Sequence, residues 1–245
     1  MTPTETFISH LIELRHRLLR VVIGMLVVFL GLFPFANKVY ALLAAPMLDK
    51  LPEGTQMIAT AVVTPFFVPM KVAMMAAFVI SLPHTLYQLW MFVAPGLYAH
   101  EKKLMLPAIF VSSFLFLCGM AFAYFLVFPV VFAFMVNSAP AGVAVMTDIA
   151  EYLDFVMTLF LAFGFAFEVP IAVVLMVRFG WVKVAQLKDA RGYVIVGAFV
   201  LAAIFTPPDI ISQFMLAVPL WLLYEAGILF VQMTHSNDNS IHAEL

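Results

Sequence analysis

The sequence predicts an all-α integral membrane protein with six transmembrane helices and both termini on the cytoplasmic side. Three observations predict it. Hydrophobic residues make up 65% of the 245 residues and charged residues 11%, against roughly 25% charged in a soluble domain. Apolar runs reach the roughly 20 residues that a helix needs to cross hydrocarbon. Lys and Arg gather on one side of those runs.

Read in order, the spans fall at about 18–36, 72–93, 105–135, 152–177, 193–205 and 210–231. An even number of spans returns both termini to one side. With the termini inside, Arg15, Arg17, Arg20, Lys102, Lys103, Arg178, Lys183, Lys188 and Arg191 are cytoplasmic, and Lys38, Lys50 and Lys71 are outside. Tyr87, Trp90, Tyr98 and Trp181 then lie near the inner boundary, where amphipathic rings are favoured. A single polytopic membrane domain over residues 1–245 is the economical organisation.

The N-terminal segment, about 5–17, is amphipathic. Phe7, Leu11, Leu14 and Leu18 form one stripe at helical spacing, and His10, Glu13, Arg17 and Arg20 take the other face. It reads as an interfacial helix feeding the first span. No apolar core followed by a small-residue cleavage site precedes it, so no removable signal peptide is expected.

The outer segment 37–70 carries Val39, Leu42, Leu43 and Pro46 at the spacing of a short amphipathic helix, ended by a turn at 51–54. It is expected to cap the helix ends. The second outer segment, 137–151, ends in Asp148 and Glu151, a spacing suited to capping the fourth span. The third span, about 46 Å long at 1.5 Å per residue, exceeds the roughly 30 Å core and must tilt or project. The fifth covers only about 20 Å. A tight outer turn at 206–209, containing two prolines, joins it to the sixth. A thin bilayer or a partly wetted surface is expected beside that hairpin. The tail, about 234–245, is expected to be flexible.

Several function classes drop out. Net charge is −2, and the few cations are ordered by membrane side, so no nucleic-acid surface is expected. The single cysteine, Cys118, forms no intrachain disulfide or cysteine metal cluster. No phosphate-binding glycine loop, nucleophile elbow or His-Glu-x-x-His helix occurs. Neither an enzyme nor a bound cofactor is expected.

The polar residues in or beside spans carry the remaining information. Glu13 either pairs with Arg17 at i,i+4, stabilising by roughly 0.3–0.5 kcal/mol, or holds a ligand guanidinium in a two-point hydrogen bond. Glu101 is either an acid at a helix N-terminus, favoured by about 0.3–1 kcal/mol, or a second such site. Glu168 lies ten residues before Arg178, deep enough that an ionised carboxylate costs several kcal/mol unless paired or wetted. Proton relay, groove-lining polar group and structural hydrogen bond are its candidate roles. Glu225 is a second acid within a span, and Thr206 and Gln213 add polarity suited to docking another helix. Glu168 and Glu225 also motivate a rival class, a proton-coupled small-solute transporter. No inverted repeat accompanies them.

The stretches 10–15, 87–98 with Glu101, 163–170 and 205–209 closely resemble the TatC family, receptor subunits of the twin-arginine protein translocase. The resemblance covers nearly the whole chain. It implies a six-helix, concave, glove-like scaffold in the bacterial cytoplasmic membrane. Such a scaffold binds Arg-Arg signal peptides and, with TatA- and TatB-type single-span partners in a multi-copy complex, exports folded proteins using the proton-motive force. By resemblance, Glu13 and Glu101 bind the two arginines, with Arg15, Gln88, Phe92 and Leu97 shaping that site. Glu168 lines the groove, Thr206 and Gln213 dock partners, and Pro46, Phe66 and Asp209 belong to the outer cap. The tail lacks the Lys and Arg that many relatives carry there.

Overall fold

The structure, a computed structural model, describes residues 3–48, 57–93, 105–138, 146–205 and 210–243. Ten α-helices are found among them: α1 Pro3–Leu32, α2 Ala36–Leu48, α3 Thr64–Val93, α4 Met105–Phe122, α5 Phe128–Asn137, α6 Ile149–Phe167, α7 Val169–Arg178, α8 Val184–Asp189, α9 Arg191–Phe205 and α10 Ile210–Ala243. Five segments are long and apolar enough to cross a membrane, namely Leu11–Ala45, Thr64–Phe92, Leu106–Asn137, Ile149–Arg178 and Ile210–Met233. Arg191–Phe205 is the short sixth. At 1.5 Å per residue it is about 22 Å long, as its sequence predicts.

The amphipathic segment and the first span form one helix, because nothing between them breaks it. Pro34 then imposes a single 3-10 turn at Phe33–Phe35, after which α2 continues. The predicted surface helix is therefore α2. The second span begins at Thr64, earlier than the predicted 72, because Pro65 stands at the first turn, where its missing N–H costs nothing. In the long third segment Pro129 follows a five-residue π turn, Ala123–Val127, in which the Phe128 N–H reaches back five residues to the Ala123 carbonyl. The wider turn accommodates a proline that cannot donate to residue 125. The expected flexible tail is helical as far as Ala243, since no proline follows Pro219 and residues 228–243 contain no glycine.

The chain forms two compact units, one of Met1–Ala45, Gln56–Phe114 and Met146–Asp154, the other of Pro46–Thr55, Leu115–Val145 and Phe155–Leu245. In the first, α1 packs on α3, and Gly24 lets the His84 ring approach. A Cβ at Gly24 would lie 2.9 Å from that ring. The His84 ring nitrogen Nε2 in turn reaches the Arg20 carbonyl at 3.3 Å. His84 is therefore a polar tie between helices more than a mere kink residue.

The segments that precede α3 and α6 in this unit are joined by hydrogen bonds. The Ile58 N–H donates to the Thr147 carbonyl at 3.0 Å, and the Ile149 N–H to the Ile58 carbonyl at 2.9 Å. Asp148 completes the junction. Its Oδ2 accepts from the Thr60 hydroxyl at 2.6 Å and the Thr60 N–H at 2.9 Å, and its Oδ1 accepts from the N–H of Ala150 at 2.7 Å and of Glu151 at 3.3 Å. The predicted helix cap is thus also a clamp on the segment before α3. The Tyr152 hydroxyl donates to the Leu43 carbonyl at 2.8 Å, and Lys71 pairs with Asp154 at 2.7 Å.

The Thr60 hydroxyl, then the Thr60 and Ala150 N–H groups, hold the Asp148 carboxyl down at about 2. The ordinary value is near 3.8, so the clamp contributes its full stability above about pH 4 and loses it as the pH falls towards 2. Between pH 5 and 8 no dependence arises from this group. Proteolytic protection of residues 57–63, measured from pH 5 down to 2, should fall more steeply in the native chain than in Asp148→Asn. Equal slopes would disprove the clamp.

In the second unit, Val173, Val177, Leu187, Tyr224, Ile228 and Val231 form a buried apolar cluster. The Tyr224 hydroxyl donates to the Leu187 carbonyl at 2.8 Å, fixing α8 to α10. Helix α7 ends where Gly180 adopts φ +70°. Its N–H bonds the Val177 carbonyl while the Trp181 N–H bonds that of Met176, the double closure that a left-handed glycine permits.

Candidate functional site

Glu13 lies on α1, two turns before the apolar run is fully established. Arg17 donates through Nε at 2.9 Å, and through a terminal nitrogen, to the same carboxylate oxygen, Oε1. The i,i+4 pair expected from the spacing is therefore formed. Its burial is uneven: the Arg17 side chain is 14% exposed and that of Glu13 32%. Arg15, on the opposite side of the helix, is exposed.

Gln88 and Phe92 share one face of α3, one turn apart. Gln88 is 6% exposed, and its amide oxygen has no hydrogen-bond partner among the described residues. His84, one turn earlier, meets α1 at Arg20 and Gly24. Consecutive spans run antiparallel, so one turn onward on α3 corresponds to one turn back on α1. This brings Gln88 to the level of Arg17. Phe92 is half-buried. Leu97 and Glu101 lie outside the described residues, as do Thr206 and Asp209.

Glu168 sits at the junction of α6 and α7. Pro170, in the first turn of α7, cannot donate to residue 166, and the chain breaks its helix there. The Glu168 N–H turns to the Phe165 carbonyl at 3.1 Å, and the Glu168 carbonyl accepts from Ala172 at 2.9 Å. The side chain is half-buried, with Oε1 inaccessible to water. Its neighbours Phe165, Ala166 and Val169 border an open apolar pocket of about 310 Å³ that Leu201, Phe205 and Leu216 also line. Gln213 is half-buried on α10. Pro46 belongs to the end of α2, and Phe66 is 61% exposed at the start of α3, edge-on to Phe67 at 5.4 Å.

Sequence reasoning missed a further polar contact in the second unit. Arg191, at the start of α9, donates to Glu225 Oε2 on α10 at 2.6 Å. Their separation of 34 residues gives no local signal. Among the described residues no group of His, Cys, Asp and Glu is arranged to hold a metal ion.

Residues 9–219 match the family model described as Sec-independent protein translocase protein (TatC). The chain belongs to the TatC family. It is 52% identical over 227 residues to the TatC Sec-independent protein translocase protein of Escherichia coli strain K12, covering 93% of this chain and 88% of that protein. It is 53% identical over 223 residues to the TatC protein of Azotobacter chroococcum, covering 91% and 88% respectively. A crystal structure of the twin arginine translocase receptor TatC superimposes with a TM-score of 0.79 at 37% identity, covering 90% of this chain and 98% of that one. The all-α membrane fold and the Sec-independent translocase function of the TatC family follow.

Proposed function

We propose that this chain is the receptor and core subunit of a twin-arginine translocase, in which Glu13 and Glu101 each take one arginine of a signal peptide. Arg15, Gln88, Phe92 and Leu97 shape that site. Glu168 serves a later step along the export path, and Thr206 and Gln213 dock TatA- and TatB-type partners. Pro46, Phe66 and Asp209 belong to the outer cap. The chain lies in the bacterial cytoplasmic membrane with both termini inside, and it works as a non-enzymatic part of a multi-copy complex driven by the proton-motive force.

One observation carries the reading. The Glu13 carboxylate already holds a guanidinium through two N–H groups, so its position and orientation suit an arginine ligand. The rival, a proton-coupled small-solute transporter, is less well supported, because Glu225, one of the two acids that motivate it, is already paired with Arg191.

Export of a folded reporter behind an Arg-Arg signal should fall by about tenfold or more in Glu13→Ala and in Glu101→Ala, the change expected when a charge-assisted pair worth roughly 1.5–3 kcal/mol is lost. The double variant should not export, nor crosslink to the signal peptide. Unimpaired export with unchanged crosslinking in the double variant would remove the assignment.

A further inference from the structure

Helix α8 joins two apolar helices, and both of them meet it in a positive charge. The span Ile149–Arg178 stops at Arg178 and the short apolar helix Arg191–Phe205 begins at Arg191, so the link between them lies at the membrane boundary. Four of the chain's 12 Lys and Arg fall in this one stretch, at Arg178, Lys183, Lys188 and Arg191. Arg191 is neutralised by Glu225. The other three are exposed and, among the described residues, form no ion pair. We propose that this corner binds the phosphate group of an acidic phospholipid.

Helix ends explain only part of the cluster. A cation in the last turn of a helix is favoured by the helix dipole, which accounts for Arg178 in α7 and Lys188 in α8. Lys183 has no such reason. It stands at the N-cap of α8, the end at which the dipole disfavours a cation. Its backbone N–H bonds Gln186 Oε1 at 2.8 Å, while no carboxylate among the described residues lies within ion-pair distance of its side chain. Asp189 is the exposed acid of the same stretch, and one acid set against three unpaired cations leaves a surplus of positive charge. A phosphodiester, which carries a negative charge and only acceptor oxygens, complements it.

Two rings set the depth. Trp181 is 71% exposed and Tyr193 84% exposed, one on each side of α8, and Trp181 packs on Phe179 at 5.5 Å between ring centroids. Such amphipathic rings favour the headgroup level, so a phosphate bound beside them comes from the bilayer more readily than from water. Gly192, between Arg191 and Tyr193, would have nothing within 4 Å of a Cβ, which leaves that surface open. The frame under the cations is firm. Leu187 packs with Val173 and Val177 of α7, and its carbonyl accepts from the Tyr224 hydroxyl of α10 at 2.8 Å. A headgroup therefore meets cations on a fixed backbone, in the pattern by which basic clusters beside spans recognise acidic lipid.

The test titrates the full chain, in a neutral detergent, with phosphatidylglycerol carrying a fluorescent acyl chain and with phosphatidylcholine carrying the same label. The native chain should prefer the acidic lipid. A triple variant, Arg178→Gln with Lys183→Gln and Lys188→Gln, should lose roughly tenfold or more of that preference, since each cation near an acidic surface contributes about fivefold before screening by salt. Asp189→Asn removes the opposing charge and should raise the preference by about two- to fivefold. A misfolded variant would not gain affinity, so this second arm separates the effect from damage. Inorganic phosphate presents the same oxygens without an acyl chain, and it should displace the labelled lipid no better than chloride does at equal ionic strength. A preference that is absent in the native chain, unchanged in the triple variant or not raised by Asp189→Asn overturns the site, even where the triple variant instead loses an acidic protein partner. Displacement by inorganic phosphate beyond that by chloride overturns the lipid as its occupant.

Discussion

Replacing Gly119 by alanine should destabilise the protein by about 1–3 kcal/mol, the usual cost of forcing extra volume into a filled interior. A Cβ at this position would stand 2.4 Å from the Phe163 carbonyl oxygen and 2.9 Å from its carbon. Those atoms belong to the backbone of α6, so no rotamer change makes room. The helices must separate instead. Nearby, the Phe116 ring from α4 fills the space beside Gly164 on α6, where a Cβ would come within 2.5 Å of it. Separation at Gly119 therefore loosens a reciprocal packing, along with the ring contacts of Phe122 with Phe163 at 5.4 Å and with Phe167 at 5.7 Å.

The effect is large because helices in a bilayer gain little from hydrophobic transfer and associate chiefly by close packing. Gly197→Ala is the internal control. Nothing lies within 4 Å of a Cβ there, so the better helix propensity of alanine makes that change neutral or stabilising by up to about 1 kcal/mol. Reversible unfolding in mixed micelles compares the two. The interlock is disproved if Gly119→Ala is as stable as Gly197→Ala.

Breaking the Arg191–Glu225 pair should cost about 1–3 kcal/mol, and unequally for the two partners. Removing one member of a fully buried pair costs roughly 3–5 kcal/mol, but here the Arg191 side chain is 44% exposed and that of Glu225 16%. Glu225→Ala leaves an arginine that can turn to water, whereas Arg191→Ala leaves a carboxylate inside the helix packing. The second should therefore cost more. The pair closes the hairpin of α9 and α10 at the end opposite its turn, next to the Tyr224 bond to Leu187. A double-mutant cycle on the same unfolding assay should return a favourable coupling, and the swap Arg191→Glu with Glu225→Arg should recover part of the loss. Additive losses would mean that the pair contributes nothing.

Helix existence was legible almost throughout, because apolar runs of span length are local signals. The shortness of α9 is visible in a residue count, whereas the breaks at Pro34 and Pro170 fall inside stretches that read as single spans. Boundaries were less legible. The N-terminal segment and the first span merge because amphipathic and apolar stretches share one helical conformation and differ only in surroundings. The start of α3 moved outward because Pro65 is as good a helix beginning as it is a loop residue.

At the candidate site, the Glu13–Arg17 pair could be read from i,i+4 spacing alone. Its uneven burial could not, since that depends on what lies beside α1. Asp148 was readable as a helix cap through Ala150 and Glu151, but its grip on Thr60 joins residues 88 apart. Glu225 looked like an isolated intramembrane acid and is a paired one.

What the sequence determined by itself was everything carried by short spacing: the membrane environment, the spans, the cap at Asp148, and the local pair that holds Glu13. Only the tertiary structure decided which distant groups meet. It set Gly119 against the Phe163 carbonyl, Glu225 on Arg191, Asp148 on Thr60, and the Gln88 oxygen in a buried place without a donor among the described residues. The reason is physical. Hydropathy and helix propensity are summed over neighbours in the chain, whereas close contact and desolvation are properties of surfaces that come together only when helices pack.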